Sequence, residues 1–248
     1  MTSPAVRCVR LVTVAAALIL IVEPALAQDI SINFGQGAGL TERVIQLIAL
    51  LTVLSLAPSI LVMMTSFTRI VVVLSLLRTA LGAATAPPNA VIVSLALFLT
   101  AFVMGPAFQR AYDVGIKPLM NNEVSVEQAF ERSAEPFKGF MLKNVREKDL
   151  KLFADLSKEP PPATPEDMSL RILIPAFMIS ELKRAFEIGF LLFLPFLIID
   201  LVVASVLMSM GMMMLPPVVV SLPFKLIFFV LVDGWSLVAG SLVQSYGT

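Results

Sequence analysis

The sequence predicts an all-α protein built of membrane-associated helical hairpins with a small helical polar subdomain, and three observations lead there. The 248 residues are 58% hydrophobic and only 15% charged, against roughly 45–50% and about 25% in soluble domains, and the mean hydropathy is +0.91. Long charge-poor runs broken by Gly and Pro have the length of helices, not strands. One stretch alone, Gln109 to Arg171, alternates acids and bases. Zero formal net charge and the absence of histidine give no sign of a nucleic-acid partner and remove the commonest metal ligand.

At the N-terminus, Arg7 and Arg10 precede the apolar run Leu11 to Val22, and Ala25-Leu26-Ala27 follows as a small-residue cleavage site. This is the pattern of a signal peptide, residues 1–27. The other reading is an uncleaved first span, which the short apolar run disfavours. Cleavage after Ala27 would remove Cys8, the only cysteine, and exclude disulfide chemistry.

Residues 28–107 form an N-terminal helical hairpin region. Val44 to Met64 carries no charge and gives a helix of roughly 30 Å, one span, with Pro58 as a kink. Thr65 to Gly82 follows, with Arg69 and Arg78 bracketing Ile70 to Leu77. It reads either as a helix apolar on all faces or as a positively charged loop, since no acid nearby balances the arginines. Pro87-Pro88 makes a turn, with Asn89 placed to cap a helix from Ala90 to Met104 that Gly105-Pro106 stops.

Residues 108–171 are predicted as a polar, mostly helical periplasmic subdomain. Phe130, Phe137, Phe140, Leu142, Val145, Leu150 and Phe153 recur at roughly helical spacing among the charges, and Pro160-Pro161-Pro162 with Pro165 makes a stiff linker.

Residues 172–248 form a C-terminal hairpin region with a methionine-rich loop. Ile172 to Leu215 is too long for one span and contains ISELKRAFEIGF. Glu181 with Arg184, Lys183 with Glu187, and Arg184 with Glu187 stand three or four apart, a spacing that pairs charges along one side of a helix. Four charges in lipid would cost on the order of 10 kcal/mol, so they must face protein, water or a neighbouring subunit; a helix on the membrane surface is the alternative. Ile188 to Met210 is the better span. Leu222 to Val243 is the last, with Lys225 and Asp233 eight apart and therefore on one face.

Asp200 and Lys225 lie at similar distances from the Pro216-Pro217 turn, so a hairpin closing near Met214 would bring them together. Between the arms stand Met208, Met210, Met212, Met213 and Met214 beside Gly211. Methionine is unbranched and adaptable, and a loop of five is a poor core. Around an axis such loops would make a deformable seal.

DLVVASVLMSMGMMMLPP and SLPFKLIFFVLVDGW, preceded by TSFTRIVVVLSLLRTALG and FMISELKRAFEIGF, resemble the FliP family of flagellar type III export-gate membrane proteins, homologous to the SctR subunits of virulence secretion. The resemblance covers the chain from about Leu40 onward. It implies several copies assembled with FliQ and FliR and other export and basal-body proteins into a helical pore complex at the flagellar basal body of the bacterial inner membrane. It also implies unfolded flagellar proteins as the cargo and the methionine loop as the gasket, with Glu181, Lys183, Arg184, Glu187, Asp200, Lys225 and Asp233 in buried pairs or between subunits. Much of such a complex lies above the membrane plane, so the span count from hydropathy is not the true depth of each helix. Membrane lipid is the remaining partner, and nucleic acid is not one.

No Walker-type glycine loop is present, and no cofactor, metal or catalytic residue is expected. Three other functions remain open. The chain could serve a virulence secretion system, although its signal peptide and long polar subdomain resemble the flagellar members. A small-molecule transporter would often carry an internal repeat, and none is visible. An intramembrane enzyme would have to use Asp200 and Asp233 as an aspartyl pair, with Lys225 nearby and no glycine-aspartate signature.

Overall fold

The computed structural model describes residues 62–83, 86–157, 164, 167–212 and 214–247, with scattered helical positions between 44 and 59. Residues 1–43, and with them the signal-peptide reading, lie outside the described residues, as do most of the first expected span and the Pro160–Pro162 linker. Among the described residues, eight α-helices and one π-helical turn have both ends defined, and no strand occurs.

Helix α1, Phe67–Leu81, is a helix and not a loop. Ile70, Val73, Leu74, Leu77, Ala80 and Leu81 are buried in one core with Ala185, Phe196, Phe229, Val238 and Leu242 from the C-terminal helices. Apolar residues on nearly every face thus mark a central element. Its packing against the later long helix is close enough that a Cβ on Gly189 would lie 2.3 Å from a methyl of Leu76, so any larger residue there must push Leu76 aside.

Helix α2, Asn89–Ala111, runs through Gly105-Pro106 instead of stopping. Proline removes one backbone donor, which an apolar helix packed against neighbours tolerates. The helix continues through the π turn Tyr112–Ile116 into α3, Lys117–Met120. Asn89 is not the cap: Pro88 occupies that position and Asn89 accepts a hydrogen bond from Arg78.

Two polar helices follow. In α4, Val126–Asn144, a capping box at Ser125 and Gln128 starts the helix. With α5, Glu147–Ser157, it packs on the first half of the long helix α6, Leu170–Ser209. Phe137, Phe140, Leu142, Val145, Leu150 and Phe153 meet Met141, Met168, Ile172, Leu173 and Phe177 there, whereas Phe130 is left 75% exposed.

Helix α6, Leu170–Ser209, is continuous over 40 residues despite Pro175 and Pro195. At ~1.5 Å per residue it is about 60 Å long, roughly twice a hydrocarbon core. One half therefore carries the polar helices while the other stays apolar. The last expected span is broken: α7, Pro217–Leu231, and α8, Gly234–Gln244, meet at a 63° bend. By length and composition, Asn89–Met120 and Leu170–Ser209 can cross a membrane, and the bent pair would make a third span.

Candidate functional site

The α6–α7 hairpin is stopped, turned and clasped by identifiable residues. Gly211, at φ 74°, takes the left-handed conformation that ends α6. Its N–H donates to the Met208 carbonyl at 3.1 Å, and the Met212 N–H reaches back to Leu207 at 3.0 Å. This pair of bonds satisfies carbonyls that a helix end leaves orphaned. Pro217 then opens α7 at a position where its missing N–H costs nothing.

Met208 accordingly lies in the last turn of α6, not in the loop. Met208, Met210, Met212 and Met214 are 58%, 61%, 40% and 99% exposed, and Met213 lies outside the described residues. The tip offers adaptable apolar side chains that the described residues leave largely uncovered, Met214 most of all. Behind it an apolar groove of about 470 Å³, lined by residues such as Val202, Val206, Val220 and Phe224, separates the two arms.

Lys225 clasps the hairpin. Its Nζ donates to Asp200 Oδ2 at 2.6 Å and to the Ala80 carbonyl at 3.1 Å, while Ser221 Oγ donates to Asp200 Oδ1 at 2.6 Å. The lysine side chain is 4% exposed and the aspartate 28%. Ala80 belongs to the last turn of α1, where carbonyls lack helical partners and a cation is favoured. One ammonium thus joins α6, α7 and α1.

Asp233 takes no part in this clasp. It sits at the bend, exposed, in a left-handed conformation at φ 50° ahead of α8. The break ends the helical register at Leu231, so the eight-residue spacing does not put Asp233 on the Lys225 face.

In α6, Glu181 is fully buried but does not pair with Arg184. Its carboxylate receives both Nε and Nη2 of Arg69, the former at 2.9 Å, and the hydroxyl of Tyr246. Arg69 Nη1 donates to Ser245 Oγ at 2.9 Å, and its guanidinium lies 3.8 Å from the centre of the Tyr246 ring. Tyr246 in turn stacks on Phe140. Burial, reinforced by the adjacent Glu181 carboxylate, pushes the Tyr246 phenol above its usual range although Arg69 opposes this. It stays protonated and able to donate. Lys183 pairs with Glu187 at 3.6 Å on the exposed side, and Arg184 is half-buried without an ion pair among the described residues.

One residue earlier, Ser180 anchors α5. Its hydroxyl donates to Asp149 at 2.7 Å and accepts from the Arg146 N–H at 3.1 Å, and Arg146 Nε donates to Asp149 at 2.7 Å. Burial raises the Asp149 carboxyl, but the hydrogen bonds from Ser180 and Arg146, with the charges of Arg146 and Lys183, together hold it below the usual carboxylate range. A carboxyl lowered on folding stabilises above its unfolded value of about 3.9 and loses that contribution as pH falls through its folded value. Acid unfolding below pH about 4 should therefore be steeper in the native chain than in Asp149→Asn. Circular dichroism across pH 2 to 6 reads this, and identical slopes would contradict it.

Arg69, Tyr246, Ser245, Ser221, Ser180, Asp149 and Arg146 were not marked by the sequence as site residues. Arg69 carried a signal, a lone charge inside an apolar run, but its partner is 112 residues away. Ser221 stands one turn before Lys225 on the same helix face. No group of three or more acidic, cysteine or histidine residues fit for a metal occurs among the described residues.

Comparison with known proteins identifies the family of the chain. The model of the FliP family matches residues 50–242. A flagellar biosynthetic protein FliP of Caulobacter vibrioides (strain ATCC 19089 / CIP 103742 / CB 15) is 64% identical over 243 residues, 97% of this chain and 91% of the relative. Proteins of the same name from Bacillus subtilis (strain 168) and Rhizobium meliloti (strain 1021) are 56% and 55% identical over 82% of this chain, covering 91% and 84% of their own lengths. With the family model spanning well over half the chain and relatives this similar along nearly their whole length, the chain belongs to the FliP family.

Proposed function

We propose that this chain is a channel-forming core subunit of the flagellar protein export gate, conducting unfolded flagellar proteins across the bacterial inner membrane, and that the tip from Met208 to Met214 is its gasket. The observation that carries the reading is the tip itself: four exposed methionines on a turn whose arms are clasped by Lys225. The support holds the turn while the side chains stay adaptable, which suits a seal that must yield to passing chains and close again.

Exposed apolar surface supports assembly. Only 11% of the most apolar stretch of α6 is buried within the chain, and Phe190, Leu201, Val230 and Leu231 are more than 60% exposed. Such area calls for lipid or other subunits. In this reading several copies join FliQ and FliR in the flagellar basal body. Residues 28–107 and 172–248 supply the hairpins, and 108–171 form a periplasmic module. The chain's part in export is passage, without a catalytic step.

The test replaces Met208, Met210, Met212 and Met214 together with Ala. Assembly with partners, read by the size of the purified complex, should be retained, and the inner membrane should become leaky to ions. Unchanged conductance in a variant that assembles removes the sealing role.

A further inference from the structure

The polar helices carry their charge at two opposite ends. From Glu123 to Glu135 the chain has four acids and one base, a net charge of −3, and from Lys138 to Lys151 five bases and two acids, a net charge of +3. Glu123, Glu127, Glu131 and Glu135 recur at every fourth position, so those within α4 share one side of it. Like charges at that spacing oppose the helix that carries them, so the row gives the isolated chain nothing. Among the described residues, the one ion pair in these two stretches joins Arg146 to Asp149, both in the basic one. Neither end neutralises the other within the chain.

Apolar side chains stand beside both sets of charges. In α4, Val126 and Phe130 lie one turn apart, 73% and 75% exposed, and are followed directly by Glu127 and Glu131. In α5, Asp149, Leu150, Phe153 and Ala154 turn inward, while Lys148, Lys151 and Asp155 are exposed along with Leu152 and Leu156, at 51% and 67%. Each helix thus shows two bare apolar side chains one turn apart. On α4 two acids flank them, and on α5 two lysines, with Asp155 toward the far end.

We propose that these are the two halves of one contact between copies of this chain, in which the face of α4 bearing Glu127 and Glu131 docks on the face of α5 bearing Lys148 and Lys151 in the next copy. Two apolar faces of opposite charge on a single chain fit a second copy, because that partner uses both. A protein with a basic helix uses the acidic face and leaves the other bare. Two copies cannot meet through the same patch on each, since like charges would then be opposed. The contact is therefore heterologous and runs head to tail, into a ring or an open helix. The apolar side chains supply attraction, and the charges fix which faces meet. The inference rests on the reading of several copies and is independent of the seal at the methionine tip.

Co-purification of two differently tagged full-length chains from one membrane, in mild detergent, tests it. Glu127→Lys with Glu131→Lys should lower the capture of one tag by the other about tenfold, the effect of two exposed pairs turned repulsive. Lys148→Glu with Lys151→Glu should do the same. A chain carrying all four reversals should return to native capture, because its faces are complementary again with the charges exchanged. All four positions are exposed, and circular dichroism of each variant checks that the helices are kept. Capture by both double variants equal to native capture overturns the inference and leaves the reading of several copies in place. A chain with four reversals that fails to recover also overturns it, and gives the acidic face to a basic segment of another protein. No capture between native copies removes both the inference and the reading it rests on.

Discussion

Arg69→Leu should be the most damaging single substitution in the chain, destabilising it by about 3–5 kcal/mol, the cost of breaking a buried ion pair by removing one partner. The Arg69 and Glu181 side chains are 1% and 0% exposed, so water cannot replace the guanidinium. The loss would be a large part of the roughly 5–15 kcal/mol that holds a typical domain together. The pair itself adds little, because its attraction mainly offsets the cost of burying both charges. The double variant Arg69→Leu with Glu181→Leu should therefore recover much of the stability, with a favourable coupling energy in the double-mutant cycle. Tyr246→Phe removes one hydrogen bond to a charged acceptor and should cost less, about 1.5–3 kcal/mol. Thermal unfolding in detergent of purified Arg69→Leu, Glu181→Leu, their double variant and Tyr246→Phe reads all four. An unchanged midpoint in Arg69→Leu, or a double variant worse than the sum of the singles, would contradict the argument.

The second large effect belongs to Asp200→Ala, and its size relative to Lys225→Met is the informative part. The lysine side chain is 4% exposed and the aspartate 28%. Removing the acid leaves a buried ammonium with one carbonyl for company, whereas removing the base leaves a carboxylate that this chain encloses less and that keeps Ser221 as a donor. Asp200→Ala should thus lower the yield of assembled complex more than Lys225→Met, and Asp200→Asn, which keeps one acceptor oxygen of the two, should be milder than Asp200→Ala. Blue-native electrophoresis of membranes expressing each variant gives the ranking. If Asp200→Ala assembles normally and only export fails, the charge acts in the transport path and not in the clasp.

Much of this hairpin was legible because its signals are local. Asp200 and Lys225 are 25 residues apart, on arms of similar length from a Pro-Pro turn. Helix rise fixes where such residues meet once the turn is known. The methionine tip was legible for the same reason, except that the glycine which ends α6 stands after Met210 and leaves Met208 helical. Asp233 misled because a helical spacing holds only while the helix continues, and α7 stops at Leu231. Pro106 misled in the opposite sense: proline predicts a stop in water, but packed apolar helices carry it.

The sequence by itself determined what each short stretch of chain can be: helices apolar enough for a membrane, two polar helices between them, and a hairpin ending in methionines. Hydropathy, caps and turns act over a few residues, so they are written in order along the chain. Only the tertiary structure decided which charges share a site. Glu181 has Lys183 and Arg184 within one turn, yet its carboxylate goes to Arg69, 112 residues away, and to Tyr246 near the other end of the chain. Helical spacing permits a pair without selecting it. Burial selects it, because once α1 packs against α6 the guanidinium and the carboxylate are both cut off from water and each becomes the other's replacement for it.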